Sequence, residues 1–357
     1  MQHGAAGVLG VLVQAWRSTG NNVLRSPVAR TTAWLAEAAR RLPHGPVGLH
    51  FGSAGIAWAL ADAGIALGER ALVEQATALL LSLPVDHPGP DLTHGRAGLG
   101  LTLLHLFDQA GPAPADRRHE LLHRAHAVAD TLVHDVVRDE HGVSWRTPPG
   151  TPSTFAGLRF HGFAHGTAGI GLFLLELAAR TDRADAAALA AEAVDALLRA
   201  VVRTEGPAGW PSSPDEPGRP TTYWCNGSSG AGTFLARALP VLQDQRLPAL
   251  LHAAAAAVMT HRWSLGGAYC HGLAGNADFV LDLAGMVAGV EQDWVRELAS
   301  ALVDCAVRLP GAHGVIGFSD EPGRVVPDFG VGTAGALSFL LRLRHGGPRL
   351  WLPQVAR

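Results

Sequence analysis

A Gly-x-x-Gly pair followed by an apolar run returns seven times along the chain: "HGAAGVLGVL" from His3, "FGSAGIAWAL" from Phe51, "HGRAGLGLTL" from His94, "HGTAGIGLFL" from His165, "NGSSGAGTFL" from Asn226, "HGLAGNADFV" from His271 and "VGTAGALSFL" from Val331. The leading glycines are Gly4, Gly52, Gly95, Gly166, Gly227, Gly272 and Gly332, so the spacing runs from 43 to 71 residues. Self-similarity at that spacing marks a repeat architecture in which each unit is one supersecondary element that cannot bury its apolar surface alone. Segments between the motifs, such as "RRHELLHRAHAVADTLVHDVV" and "ADAAALAAEAVDALLRAVV", carry apolar residues at helical spacing with one polar face. The Gly-x-x-Gly runs themselves hold few charges, as a helix surrounded on nearly all sides requires. Each repeat therefore reads as a buried helix and an amphipathic partner. The expected fold is all-α, an α/α toroid: a double ring of about seven inner and outer helices, formed by residues 1–357 as a single domain.

The longer steps come from Pro/Gly-rich insertions, "RDEHGVSWRTPPGTPSTFAG", "EGPAGWPSSPDEPGRPTT" and "AHGVIGFSDEPGRVVP". All three end just before an inner helix, which predicts that they gather on one rim of the barrel. The pieces "GVSW", "AGW" and "VIGF" read as short strands. Loops displayed on a rigid scaffold carry function more often than the scaffold does, so this rim is the expected working face and loops 138–158, 205–222 and 311–327 the expected substrate selectors.

Composition removes several functions. The chain is 48% hydrophobic and 17% charged with a net charge of -3, a balance that buries a large core and does not attract nucleic acid. No lysine occurs anywhere, so all 28 basic residues are arginine and chemistry through a lysine Schiff base or phosphate-loop lysine is excluded. "DFG" at 328–330 invites a kinase reading, which fails for want of that lysine, a Gly-rich loop after a strand and a catalytic-loop motif. Three cysteines, Cys225, Cys270 and Cys305, are too few for a disulfide scaffold and point to a reducing, cytoplasmic compartment. No apolar run free of charge reaches about 18 residues, and "GAAGVLGVLVQAW" lacks a basic start and a cleavage site, so neither a membrane span nor a signal peptide is expected.

Aligning the repeats on the first glycine places Cys225 two residues ahead of Gly227 and Cys270 two ahead of Gly272, with His271 between Cys270 and that glycine. Equivalent positions in neighbouring units of a ring come together at the barrel mouth. Cys225, Cys270 and His271 there form a Cys2His set, which holds zinc tetrahedrally with one place left for another ligand, the arrangement of a catalytic site. A thiol taking that place is deprotonated by the ion. A lone buried cysteine is more often an inert small hydrophobe; it is the coincidence of position that favours the metal. Cys305, in the outer-helix pattern "ALVDCAVRL", is assigned to core packing.

"YWCNGSSGAG" (223–232), "YCHGLAG" (269–275) and "GFAHGTAGIGLFLLEL" (162–177) resemble the diagnostic motifs of the lanthionine synthetase C-like family, the LanC-type lanthipeptide cyclases, and the resemblance extends through all seven repeats. The ending "DFGVGTAGALSFLLRLRHGGPRLWLP" is similar to the end of cyclase domains that follow kinase and lyase domains in multidomain synthetases. This resemblance implies one zinc ion on Cys225, Cys270 and His271, a dehydrated precursor peptide as partner, and addition of its cysteine thiols to dehydroalanine or dehydrobutyrine to form lanthionine or methyllanthionine. A free thiol is only a few per cent thiolate at neutral pH, and zinc removes that limit.

The addition leaves an enolate that needs a proton. His165 matches the family's histidine for this proton work and occupies the same repeat position as His271; imidazole both accepts and supplies protons near neutrality. His3 and His94 share that position, so a helix-capping role stands beside the catalytic one. Asp91 matches a family acidic residue that orients His165 or a water, although Asp328 stands at the same offset and argues for a cap of the repeat. Two departures appear: Thr221 replaces an arginine found four before the motif cysteine in some cyclases, with Arg219 nearby, and the chain begins almost on its first inner helix, as in a piece of a larger synthetase. A zinc prenyltransferase is a weaker reading of the same residues, and a non-catalytic peptide-binding or glutathione-adding relative of the cyclases is the alternative within the family.

Overall fold

Inner and outer helices alternate along the chain in the order the repeats predict. The computed structural model describes residues 2–41, 45–109, 115–203, 206–216, 218–309, 314, 316–318 and 324–353. Seven inner helices, α1 (Ala5–Thr19), α3 (Ser53–Leu67), α5 (Arg96–Gln109), α7 (Thr167–Ala178), α9 (Ser228–Leu242), α11 (Leu273–Leu283) and α13 (Thr333–His345), each begin on a Gly-x-x-Gly motif. Each inner helix touches the next and α13 touches α1, which closes the ring. The outer helices are α2 (Arg25–Arg41), α4 (Arg70–Ser82), α6 (Ala115–His134), α8 (Ala184–Ala200), α10 (Leu247–His261) and α12 (Gln292–Asp304), each packed on the inner helix before it. Seven outer helices were expected; six are present among the described residues. After α13 the chain turns back beneath the ring instead, and the Arg349 and Trp351 side chains pack into the barrel.

Burial follows the two sequence patterns. In α5 every residue from Arg96 to Leu106 is buried, and in α7 every residue from Thr167 to Leu177. By contrast α12 buries only Val295, Leu298, Ala301 and Leu302, one stripe at helical spacing. Between inner helices, small meets large. A Cβ on Gly100 would stand 2.3 Å from the Phe173 ring, one on Gly171 2.6 Å from Phe234, and one on Gly232 2.4 Å from Phe279. The glycine of one inner helix thus receives the phenyl group of the next, and each fully buried ring contributes about 1.5–3 kcal/mol.

The insertions form the expected short strands, which pair as hairpins. β1 (Val136–Asp139) pairs antiparallel with β2 (Gly142–Trp145), β3 (Val202–Arg203) with β4 (Ala208–Gly209), and β5 (Val307–Arg308) with β6 (Ile316–Gly317). Trp145 Nε1 donates to the carbonyl of Leu132 and Trp210 Nε1 to that of Leu197, both at 2.8 Å, so successive repeats anchor their hairpins on the preceding outer helix with the same bond. Arg159, nearly buried, joins the first two insertions through Asp139 at 2.5 Å and through Asp215. Most of the third loop, 311–327, lies outside the described residues. No helix among the described residues is long and apolar enough to cross a membrane.

Candidate active site and metal centre

The seven residues that stand two ahead of the first motif glycines are stitched into a closed belt by their backbones. Gln2 N–H donates to His50 O, His50 to Thr93, Thr93 to Ala164, Ala164 to Cys225, Cys225 to Cys270, Cys270 to Gly330, and Gly330 back to Gln2, at 2.8–3.3 Å. Each inner helix starts just below this belt, so seven positive helix ends converge on one rim. Negative charge is stabilised there.

Why the repeat needs its second glycine follows from the same geometry. The chain descends from the belt into the helix so tightly that a Cβ on Gly98, Gly169, Gly230, Gly275 or Gly335 would lie 2.0–2.1 Å from the carbonyl oxygen six residues earlier. Those carbonyls belong to Leu92, Phe163, Trp224, Tyr269 and Phe329, the residues immediately before the belt position. The four aromatic rings among them form a layer under the belt: Phe163 meets Trp224 at 5.3 Å between centroids, Trp224 meets Tyr269 at 5.9 Å, and Tyr269 meets Phe329 at 4.6 Å.

Cys225 and Cys270 are adjacent on the belt, and the structure brings them together with His271 as the alignment anticipates. The two sulfurs and a His271 ring nitrogen lie within 4.8 Å of one another. Cys270 Sγ is 3.6 Å from His271 Nε2. Zn–S and Zn–N bonds of ordinary length put tetrahedral sulfur and nitrogen ligands about 3.6 Å apart, so this donor set fits zinc. Hydrogen bonding to the Cys225 thiol and burial both push the Cys270 thiol up, while His271 opposes them; a cation between the sulfurs reverses that direction. His271 is exposed and meets Tyr223 edge-on at 5.5 Å. From below, Tyr269 is held by Asp278, to which its hydroxyl donates at 2.7 Å, and by Arg349 Nε, which donates to that hydroxyl at 2.8 Å. Cys270 is therefore braced by the C-terminal segment, a contact no local sequence pattern announces.

The next belt position carries the second cluster. Ala164 N–H donates to Cys225 O at 2.9 Å, which places His165 in the unit beside the thiols. His165 Nδ1 lies 2.9 Å from Asp91 Oδ2. Because a carboxylate only accepts, Nδ1 carries the hydrogen and Nε2 is left for other chemistry. Asp91 is buried, and burial alone would raise its carboxyl; the hydrogen bonds and charges of His165 and His94 outweigh it and hold the group below the ordinary carboxylate range. His94 is the member that sequence reasoning left out. Its backbone N–H donates to Asp91 Oδ1 at 2.6 Å, its ring Nδ1 lies 3.4 Å from Asp91 Oδ2, and its ring stacks on that of His165. The shared repeat position of His94 and His165, in adjacent units, was the available signal. Phe155, from the first insertion, covers His165 with centroids 4.4 Å apart.

Asp328 does repeat the role of Asp91, as its offset predicts: it accepts from Gly4 N–H at 3.0 Å and reaches His3 at 3.3 Å. The two pairs differ in burial. The side chains of Asp91 and His165 are 6% and 17% exposed, those of Asp328 and His3 19% and 48%. Thr221 donates to the carbonyl of Asn226 and closes the turn before α9, while Arg219 is exposed. Cys305 packs against the core with its sulfur 3.7 Å from Leu265 O, apart from the other thiols.

Known proteins share both the sequence and the fold. The chain is 32% identical over 337 residues to a protein described as "Probable SapB synthase" of Streptomyces coelicolor, covering 94% of this chain but only 33% of that one; it thus spans about a third of its relative. The solved structure of nisin cyclase superposes with a TM-score of 0.68 at 14% identity, covering 96% of this chain and 87% of that chain, which establishes the shared toroid. The family described as "Lanthionine synthetase C-like protein" matches residues 1–355, and with its seven repeats and closed belt the chain belongs to that family.

Proposed function

We propose that this chain is a lanthipeptide cyclase that adds cysteine thiols of a dehydrated precursor peptide to its dehydroalanine or dehydrobutyrine residues. The observation that carries this reading is the adjacency, on one belt, of a Cys2His set and an Asp–His pair whose carboxylate is buried. Cys225, Cys270 and His271 would hold one zinc ion, whose chemistry is to lower the pKa of a substrate thiol so that it reacts as thiolate. The thiol gives up its proton to His165 Nε2, and sulfur then forms a bond to the β-carbon of the dehydro residue. The double-bond electrons move to the α-carbon and its carbonyl, and a proton delivered from His165 Nε2 to the α-carbon completes the addition. No electrons are gained or lost, and one proton is released for each one taken up.

Asp91 fixes the tautomer and the orientation of His165 through the Nδ1 contact, and its negative charge stabilises the imidazolium while the proton is held. The converging helix ends and the aromatic layer below the belt supply a site where the thiolate and enolate are favoured and water is excluded from beneath. The resemblance further implies kinase and lyase domains of the same synthetase as partners, and the three cysteines favour a reducing, cytoplasmic setting. Zinc stoichiometry by elemental analysis, on wild type and Cys270→Ala, tests the metal; thiol-alkylation mass shifts on a dehydrated peptide test the chemistry. One zinc per chain, lost in the variant together with ring formation, is expected. A wild type prepared without chelator that is metal-free and still closes rings would refute the mechanism.

A further inference from the structure

Asp91, His94 and His165 do more than form a hydrogen-bonded pair with a bystander. Asp91 Oδ2 faces both imidazoles, 2.9 Å from His165 Nδ1 and 3.4 Å from His94 Nδ1, and the three residues each bring a ligand atom within 4.8 Å of the other two. Nitrogen and oxygen ligands on a tetrahedral zinc at ordinary bond lengths stand about 3.3 Å apart, and those two separations straddle that value. Two imidazoles and one carboxylate converging with open positions are a donor set for first-row divalent metals. The histidines come from different repeats, yet their rings are held 5.3 Å apart and within 17° of parallel by Phe51 on one side and Phe155 on the other. Solvent reaches them, since the His94 and His165 side chains are 31% and 17% exposed, whereas Asp91 is buried and cannot turn away into water.

We infer that Asp91, His94 and His165 form a second, weaker site for a divalent transition metal such as zinc, distinct from the Cys2His set, and that an ion there inhibits the enzyme. Its donors are nitrogen and oxygen alone, so its affinity is lower than that of a site with two thiolates and it fills only when metal exceeds one equivalent. The ion displaces the Nδ1 proton of His165 and takes the Asp91 oxygen that orients the ring. The inhibitory part rests on the cyclase reading above; the binding part does not.

The test is a Co2+ titration of metal-free protein followed by absorption. Cobalt on the Cys2His set shows sulfur-to-metal charge-transfer bands, and cobalt on the second site shows only weak visible bands. Two successive equivalents are expected, the first lost in Cys270→Ala and the second weakened in His94→Gln and again in His165→Gln by at least the roughly 10- to 100-fold that loss of an outer-shell partner alone causes. Binding that stops at one equivalent, or a second equivalent that survives in both histidine variants, overturns the site. Two histidine variants guard against one that fails to fold, with circular dichroism as the check. Loss of the sulfur bands from wild type with the second set of bands intact would instead sink the Cys2His reading and leave this one standing. Cyclisation by the wild type is expected to fall as the second equivalent of Zn2+ fills and to recover when a mild chelator removes it; unchanged rates with the site filled overturn the inhibitory role.

Discussion

Gly230→Ala should damage the metal centre although residue 230 touches none of its ligands. The added Cβ would lie 2.0 Å from the carbonyl oxygen of Trp224 and 2.9 Å from the Phe163 Cβ. An ordinary carbon–oxygen contact is about 3.2 Å, so the Trp224 peptide must retreat by about 1.2 Å, and the neighbour is backbone with no rotamer to change. Overpacking of this kind costs about 1–3 kcal/mol. The displaced peptide is the one that leads into Cys225, and metal ligands tolerate only about 0.2 Å of misplacement. Stability and zinc affinity should therefore fall together. Gly169→Ala separates the two effects: its Cβ meets the Phe163 carbonyl at the same 2.0 Å, but that residue leads into Ala164 and not a ligand. Gly150→Ala, with nothing within 4 Å of the new Cβ, serves as the neutral control and should stay within about 0.5 kcal/mol of wild type. Chemical denaturation gives the stability, and competition with a chromophoric chelator gives the zinc affinity. A Gly230→Ala protein with wild-type stability and zinc affinity would refute the claim that the second repeat glycine sets the position of the belt. Equal loss of zinc affinity in Gly169→Ala would refute its local transmission to Cys225.

Two further outcomes follow from the site and its surroundings. His165→Asn should retain its zinc and lose about 10²–10⁴-fold in kcat for ring closure, read by alkylation of unreacted thiols; loss of the metal as well would assign His165 to the metal centre. His161 is buried, its Nδ1 has no hydrogen-bond partner among the described residues, and burial, aided by the charges of His141 and Arg159, lowers its pKa to about 4. A depressed folded-state value means that the unfolded chain binds the extra proton first. The stability from keeping His161 neutral is thus complete above about pH 6.5 and is lost as pH falls towards 4. Between pH 7.5 and 5.0 this amounts to about 2 kcal/mol, which urea denaturation of His161→Asn should show as a correspondingly shallower pH dependence; an unchanged slope would mean that His161 is already protonated in the folded protein.

Read from sequence alone, the seven glycine pairs were enough for seven packed helical units, because repeats that bury their apolar faces only against neighbours must either stack into an open array or close, and the α13–α1 contact shows that they close. The two cysteines at one repeat offset were enough for the candidate metal set, since equivalent positions in adjacent units are adjacent in space whatever the details. Periodicity carried no such information about the last repeat, where the described residues after α13 turn beneath the ring and send Arg349 to the Tyr269 hydroxyl. Nor did it separate His165 from His94 and His3, three of the four histidines at one offset. Only the packing does that. Asp91 and Asp328 reach the next unit's histidine in the same way, but the first pair is largely covered and lies beside the thiols, whereas the second is more open to solvent. Offset along a repeat is a local property that sequence displays directly, whereas burial and the choice of partner depend on what the other units and their insertions place overhead, and that is settled only when the ring closes.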